Sequence, residues 1–156
     1  MKKFKIKTRP EKSEDCIGNG KAGIFVSNEM KKLIKEAYEI FFYDLNGKLS
    51  VCTPCCVSSE NVKKLLEIPV NRLSRELIWE YLDAVHYDET GFEIKHFLPK
   101  ILEFTAQNEN IRMDVSLNLD KCYFEKKNVW SKNELDFMYR FSKQLISDFL
   151  DINPDT

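Results

Sequence analysis

Three of the five cysteines lie close together, in the stretch Cys52-Thr-Pro-Cys55-Cys56. A Cys-x-x-Cys pair can supply half of a tetrahedral zinc site, because the intervening turn points both thiolates at one ion. Three further residues could complete such a site, although none stands in a second paired spacing: Cys122, His86 and His96. Free cysteines are equally typical of small buried side chains that pack a turn. We expect no bound cofactor, and the alternative is a zinc site that includes Cys52 and Cys55.

Enzymatic chemistry has little support in the sequence. A cysteine hydrolase needs a thiolate held by an imidazole, and neither of the two histidines stands in a recognisable catalytic motif. The sequence also has no glycine-rich phosphate loop, no nucleophile elbow and no clustered His/Asp/Glu metal motif. We therefore predict that the chain is not an enzyme and has no catalytic residues.

The densest charge of one sign lies between Glu76 and Glu93, where six acids occur without any Lys or Arg. Glu76, Glu80 and Asp83 recur at helical spacing and should share one face. Such a face is often simply solvated, but aromatic residues beside charge are typical of protein interfaces, although Trp79 could instead belong to the core. We predict a partner-binding surface formed by Glu76, Trp79, Glu80, Asp83, Tyr87, Asp88 and Glu89.

Length and composition predict one helical domain. The 156 residues, 43% of them hydrophobic, suffice for a single core. The 24 basic and 25 acidic residues give a net charge of -1, so no bulk field attracts nucleic acid or an anionic membrane. Neither a signal peptide nor an apolar run of about 18 residues is present, and an odd cysteine count is typical of a reducing compartment. We predict a cytoplasmic protein that binds no membrane and no nucleic acid.

Hydrophobic periodicity and capping residues predict about five helices in a mainly α fold. The predicted starting points are Ser27 or Asn28, Ser58 or Ser59, Ser74, Gly91 or Phe92, and Ser131. The last two starts are predicted by capping boxes, Thr90-x-x-Glu93 and Ser131-x-x-Glu134. The first helix is expected to stop at Gly47 and the third to reach His86, and Pro99 should kink or split the fourth.

At most a small strand pair should accompany these helices. The stretch Ile111 to Leu119 alternates between apolar and polar residues, as a half-buried strand does. Its candidate partners are Ala22 to Val26 and Leu49 to Cys52. Residues 1–23, which begin with several lysines, are predicted to form a basic arm or loop.

Several motifs resemble those of a group of short, uncharacterised bacterial cytoplasmic proteins. The residues that carry the resemblance are Pro54-Cys55-Cys56-Val57-Ser58, Leu73-Ser74, Tyr81-Leu82, Phe97-Leu98-Pro99-Lys100-Ile101-Leu102-Glu103, Trp130 and Glu134. The resemblance covers about residues 50 to 150, but Thr53 stands where such proteins often have their first cysteine. These proteins are similar to the immunity partners of bacterial toxins, and the resemblance implies no catalytic residue.

Together, the charge pattern and the resemblance predict a non-enzymatic immunity protein. Its partner would be a cognate toxin domain, such as a nuclease, whose basic active surface the acidic helix Ser74 to His86 occludes. The alternative function is a small zinc-stabilised helical interaction module of unknown partner.

Overall fold

The computed structural model describes residues 26–53, 55–107 and 120–152. Five α-helices and one 3-10 turn, Val70–Arg72, form a mainly α fold within these ranges. The helices are α1 (Asn28–Ile40), α2 (Ser59–Glu67), α3 (Arg75–Asp83), α4 (Phe92–Ala106) and α5 (Lys132–Ile152). The predicted fold class is confirmed. No helix in the described ranges is both long and apolar enough to cross a bilayer.

Four serines begin helices where the sequence predicts them. The hydroxyl oxygens of Ser27, Ser58 and Ser74 each accept a hydrogen bond from the backbone N–H three residues later, at 3.1 to 3.3 Å. Ser131 and Glu134 form a reciprocal capping box: the Ser131 hydroxyl accepts from the Glu134 N–H at 3.2 Å, and the Glu134 carboxylate accepts from the Ser131 N–H at 2.7 Å.

The start of α4 differs from the predicted capping box. Gly91, with a φ of 79°, occupies the N-cap and makes no side-chain bond. Asp88 supplies the carboxylate instead, because its Oδ2 accepts from the Glu93 N–H at 2.9 Å and its Oδ1 accepts from the Thr90 N–H at 2.9 Å. The Thr90-x-x-Glu93 box is therefore wrong, since the Glu93 side chain points into the core. The helix continues unbroken through Pro99, so of the two expected effects, a kink or a split, the split is wrong.

Two helices end earlier than predicted. Helix α1 stops at Ile40, well before Gly47, because Phe41 and Tyr43 leave the helical path for tertiary contacts. The Phe41 ring packs edge-on against Trp130 and Phe137, at 5.9 and 5.6 Å between ring centroids. Helix α3 stops at Asp83 and not at His86.

Among the described residues, the β-structure consists of one isolated antiparallel bridge between Val51 and His86. Its hydrogen bonds run from the Cys52 N–H to the Val85 carbonyl, at 2.8 Å, and from the Tyr87 N–H to the Ser50 carbonyl, at 2.7 Å. The segment Leu49 to Cys52 therefore pairs with the chain after α3. The predicted strand Ile111 to Leu119, residues 22–25 of its alternative partner and the basic arm 1–23 lie outside the described residues.

Helix α4 forms the centre of the core and packs against α1, α3 and the 3-10 turn. It carries a lysine, Lys95, whose side chain is fully buried. The ammonium lies 2.9 Å from Oε2 of Glu134 on α5 and also donates to the Val129 carbonyl. A buried ammonium is tolerated only with such partners.

The same ion pair fixes which face of α5 is buried. The sequence predicts a face of Leu135, Met138, Phe141, Leu145 and Phe149. The structure buries Met138 and Phe141 but exposes Leu135 and Phe149, and it buries Glu134 and Phe137 in their place. The predicted face is therefore partly wrong, because Glu134 must face inward to reach Lys95.

Disruption of this buried pair should destabilise the fold strongly. Lys95→Met and Glu134→Gln should each lower the free energy of unfolding by about 3–5 kcal/mol, because each leaves one buried charge without its partner. The double variant should lose less than the sum of the two, by about 1 kcal/mol or more. Urea unfolding of all four proteins measures the coupling, and strictly additive losses would contradict the ion-pair assignment.

Candidate functional site

The three neighbouring cysteines converge on one point. The Sγ atoms of Cys52, Cys55 and Cys56 all lie within 4.8 Å of one another, and those of Cys55 and Cys56 are 3.7 Å apart. Elsewhere in the described ranges, no other three Cys, His, Asp or Glu side chains approach one another this closely. The structure thus brings together the predicted pair and adds Cys56. The sequence already contained the signal for Cys56, because it follows Cys55 directly in the same turn.

The other residues considered as zinc ligands are engaged elsewhere. Cys122 is buried, and burial raises the pKa of its thiol to about 12. The imidazole of His86 donates through Nε2 to the Tyr81 carbonyl at 2.7 Å, and that of His96 donates through Nδ1 to the Tyr43 carbonyl at 2.6 Å. We call Cys52, Cys55 and Cys56 the thiol cluster. None of the other three residues joins it.

Backbone contacts hold the thiol cluster on both sides. Before it, Val51 is buried and Cys52 is bonded to the Val85 carbonyl. After it, the Val57 N–H donates to the Cys52 carbonyl at 3.2 Å, and the Val57 side chain is fully buried. Ser58 then caps α2. The cluster therefore lies on a turn whose two ends are anchored in the core.

The thiols differ in acidity because they share hydrogen bonds. Hydrogen bonds from Cys55, Cys56 and the Tyr87 hydroxyl lower the pKa of Cys52. Donation to Cys52 raises the pKa of Cys55 to about 11. Cys52 therefore loses its proton before Cys55 does, and the exposed Tyr87 ring lies beside it.

The acidic residues of α3 share one outward face with Trp79. Glu76, Trp79, Glu80 and Asp83 follow helical spacing, opposite the buried side chains Ile78, Tyr81 and Leu82. Trp79 is 41% exposed, so it does not belong to the core. Glu76 and Asp83 are exposed, whereas Glu80 accepts a hydrogen bond from the Asn61 side-chain amide at 2.6 Å and links α2 to α3.

The segment after α3 carries further exposed side chains. Tyr87 is 62% exposed and Val85 is 55% exposed. The spacing of the apolar residues Leu77, Ile78, Tyr81, Leu82 and Val85 predicts one buried helical face. For Val85 this prediction is wrong, because α3 ends two residues before it. Glu89 is exposed, but Asp88 is half-buried and caps α4. We define the acidic-aromatic surface as the exposed residues Glu76, Trp79, Asp83, Val85, Tyr87 and Glu89.

A buried polar network contacts both the turn that carries the thiol cluster and the helix α3. The Glu93 carboxylate accepts from the Ser50 N–H at 2.6 Å and from the Tyr81 hydroxyl at 3.2 Å, and it lies 4.0 Å from Nδ1 of His86. Burial raises the pKa of Glu93. Burial, and then the charge of Lys121, lower the pKa of His86 from 6.5 to about 4. The network thus contains a neutral imidazole at neutral pH and joins the cysteine turn to α3 and α4.

The neutral His86 should make the fold sensitive to acid. The unfolded chain takes up this proton near pH 6.5 and the folded chain only near pH 4, so its contribution to stability is complete above pH 6.5 and is lost as the pH falls to 4. His86→Gln keeps a donor for the Tyr81 carbonyl but does not titrate. Its unfolding free energy should therefore fall less than that of the unaltered chain between these pH values, as measured by urea unfolding. Parallel pH profiles would contradict this prediction.

The geometry therefore presents a thiol cluster and, beside it, a surface that combines carboxylates with exposed apolar side chains. The two meet at Tyr87, where the neighbouring Cys52 thiol raises the pKa of the tyrosine hydroxyl. In comparisons with known proteins, the chain matches no family model, no curated protein and no solved structure.

Proposed function

We propose that this chain is a non-enzymatic protein-binding protein that neutralises a bacterial toxin domain through the acidic-aromatic surface. The observation that supports this proposal best is the exposure of Trp79, Val85 and Tyr87 within a stretch that contains six acids and no Lys or Arg. Large side chains exposed to this extent, beside charge, are what an interface uses.

The aromatic residues would provide most of the binding energy. Interface affinity is usually concentrated in a few residues, and Trp and Tyr are over-represented among them. Trp79 is held on a helix whose opposite face is buried, and the Tyr87 backbone is bonded to Ser50. Both aromatic side chains therefore extend from ordered backbone, which lowers the entropy cost of binding.

The carboxylates would select the partner. A domain that acts on nucleic acid must be basic where it binds phosphate. Glu76, Asp83 and Glu89 are exposed on one stretch of this chain and could occupy that basic surface in the way phosphates do. Such complementarity speeds encounter and excludes wrong partners. Occlusion of the toxin's active surface requires no chemistry from the bound protein.

The first test is protection of a host cell. The reading frame that neighbours this one in its operon should arrest growth when expressed alone, and co-expression of this chain should restore growth. Colony counts under separately inducible promoters measure both effects. If the neighbour is harmless, or kills despite co-expression, that pairing is rejected.

Substitutions in the acidic-aromatic surface then test the residues. Trp79→Ala should weaken binding to the purified toxin by about 30-fold, or about 2 kcal/mol, as expected for a central aromatic residue. Glu76→Lys combined with Glu89→Lys should mainly slow association. The matched control is Glu39→Lys with Glu67→Lys, which changes the net charge equally at exposed positions of α1 and α2. Surface plasmon resonance gives the rates, and equal effects of both charge reversals would argue against this surface.

A further inference from the structure

We propose that Cys52, Cys55 and Cys56 form a three-thiolate binding site for one soft transition-metal cation of the zinc(II) or copper(I) type. The proposal is independent of toxin binding, since it rests on the geometry of the thiol cluster. It also extends the expected Cys52 and Cys55 pair by a third ligand from the same turn.

The spacing of the sulfur atoms matches what one cation requires. Zinc–sulfur bonds are about 2.3 Å long, so thiolates around one tetrahedral ion lie about 3.8 Å apart. The Sγ atoms of Cys55 and Cys56 are already 3.7 Å apart, and no pair in the cluster exceeds 4.8 Å. A side-chain rotation of modest size would therefore bring all three sulfurs to bonding distance from a common centre.

The backbone prepares this arrangement in advance. The turn is closed by the bond from the Val57 N–H to the Cys52 carbonyl, and it is joined to the chain after α3 by the bond from the Cys52 N–H to the Val85 carbonyl. Val51 and Val57 anchor its two ends in the core. Little ordering entropy then remains to oppose metal binding, in contrast to a site on an unanchored loop.

The ligand set selects the class of cation. Thiolate sulfur favours copper(I) and zinc over magnesium or calcium, which prefer oxygen. Each thiol releases its proton to solvent as its sulfur bonds to the metal, without any change in oxidation state. Because Cys55 is exposed, the side of the cluster that faces solvent is accessible. Copper(I) would be three-coordinate there, and zinc(II) would take a solvent molecule as its fourth ligand.

Metal titration of the full chain tests the site. The reduced, metal-free protein should bind one equivalent of Cd²⁺, used as a spectroscopic probe, with an ultraviolet thiolate-to-metal band, and Cd²⁺ should displace Zn²⁺ from the zinc-loaded protein. Cys52→Ser, Cys55→Ser and Cys56→Ser should each weaken binding by at least about 100-fold. Cys122→Ala is the matched control, because it removes a thiol outside the cluster, and it should bind as tightly as the unaltered chain.

X-ray absorption then counts the ligands. Three sulfur neighbours with copper(I), or three sulfurs and one oxygen with zinc(II), would support the proposal. Four sulfur neighbours would overturn the three-ligand site. The proposal would equally be overturned by Cys→Ser variants that bind like Cys122→Ala, or by the absence of saturable binding in protein whose circular dichroism shows an intact helical fold.

Discussion

The buried ion pair between Lys95 and Glu134 is the interaction on which the arrangement of the helices depends. The ammonium lies within about 5 Å of three aromatic ring centres, those of Tyr43, Phe92 and Trp130, and it donates to the Val129 carbonyl. A charge removed from water must keep all of these partners. The segment after α1, the first turn of α4 and the start of α5 are therefore held together at one point, and Glu134 serves at once as helix cap and as counter-ion.

A second buried carboxylate, Glu93, has the corresponding role beneath the candidate sites. It joins the backbone of Ser50 to Tyr81 and lies close to His86. The turn that carries the thiol cluster and the segment that carries Tyr87 consequently share one support. This common support explains why two features with unrelated chemistry, soft sulfur ligands and an acidic-aromatic surface, occur side by side.

The two proposals concern neighbouring groups but separate properties. The proposed metal binding would depend on the positions of three sulfur atoms, whereas the proposed toxin binding would depend on exposed side chains of α3 and of the segment that follows it. Tyr87 is common to both regions, since its side chain is exposed and the Cys52 thiol lies close enough to raise the pKa of its hydroxyl.

The sequence by itself determined the mainly α fold class and most helix starts, because helix caps are formed by hydrogen bonds between residues that are close together in the chain. A cap such as Ser27 or Ser131 bonds to an N–H only three residues away, so a short stretch contains all the information. Only the tertiary structure decided which residues depart from the local pattern. Glu134 turned inward to meet Lys95, the Asp88 carboxylate took the place of the predicted capping box at α4, and Val85 became exposed where α3 ended. The first of these outcomes follows from the need to satisfy a buried charge with a partner 39 residues away in the chain, and no local pattern encodes that distance.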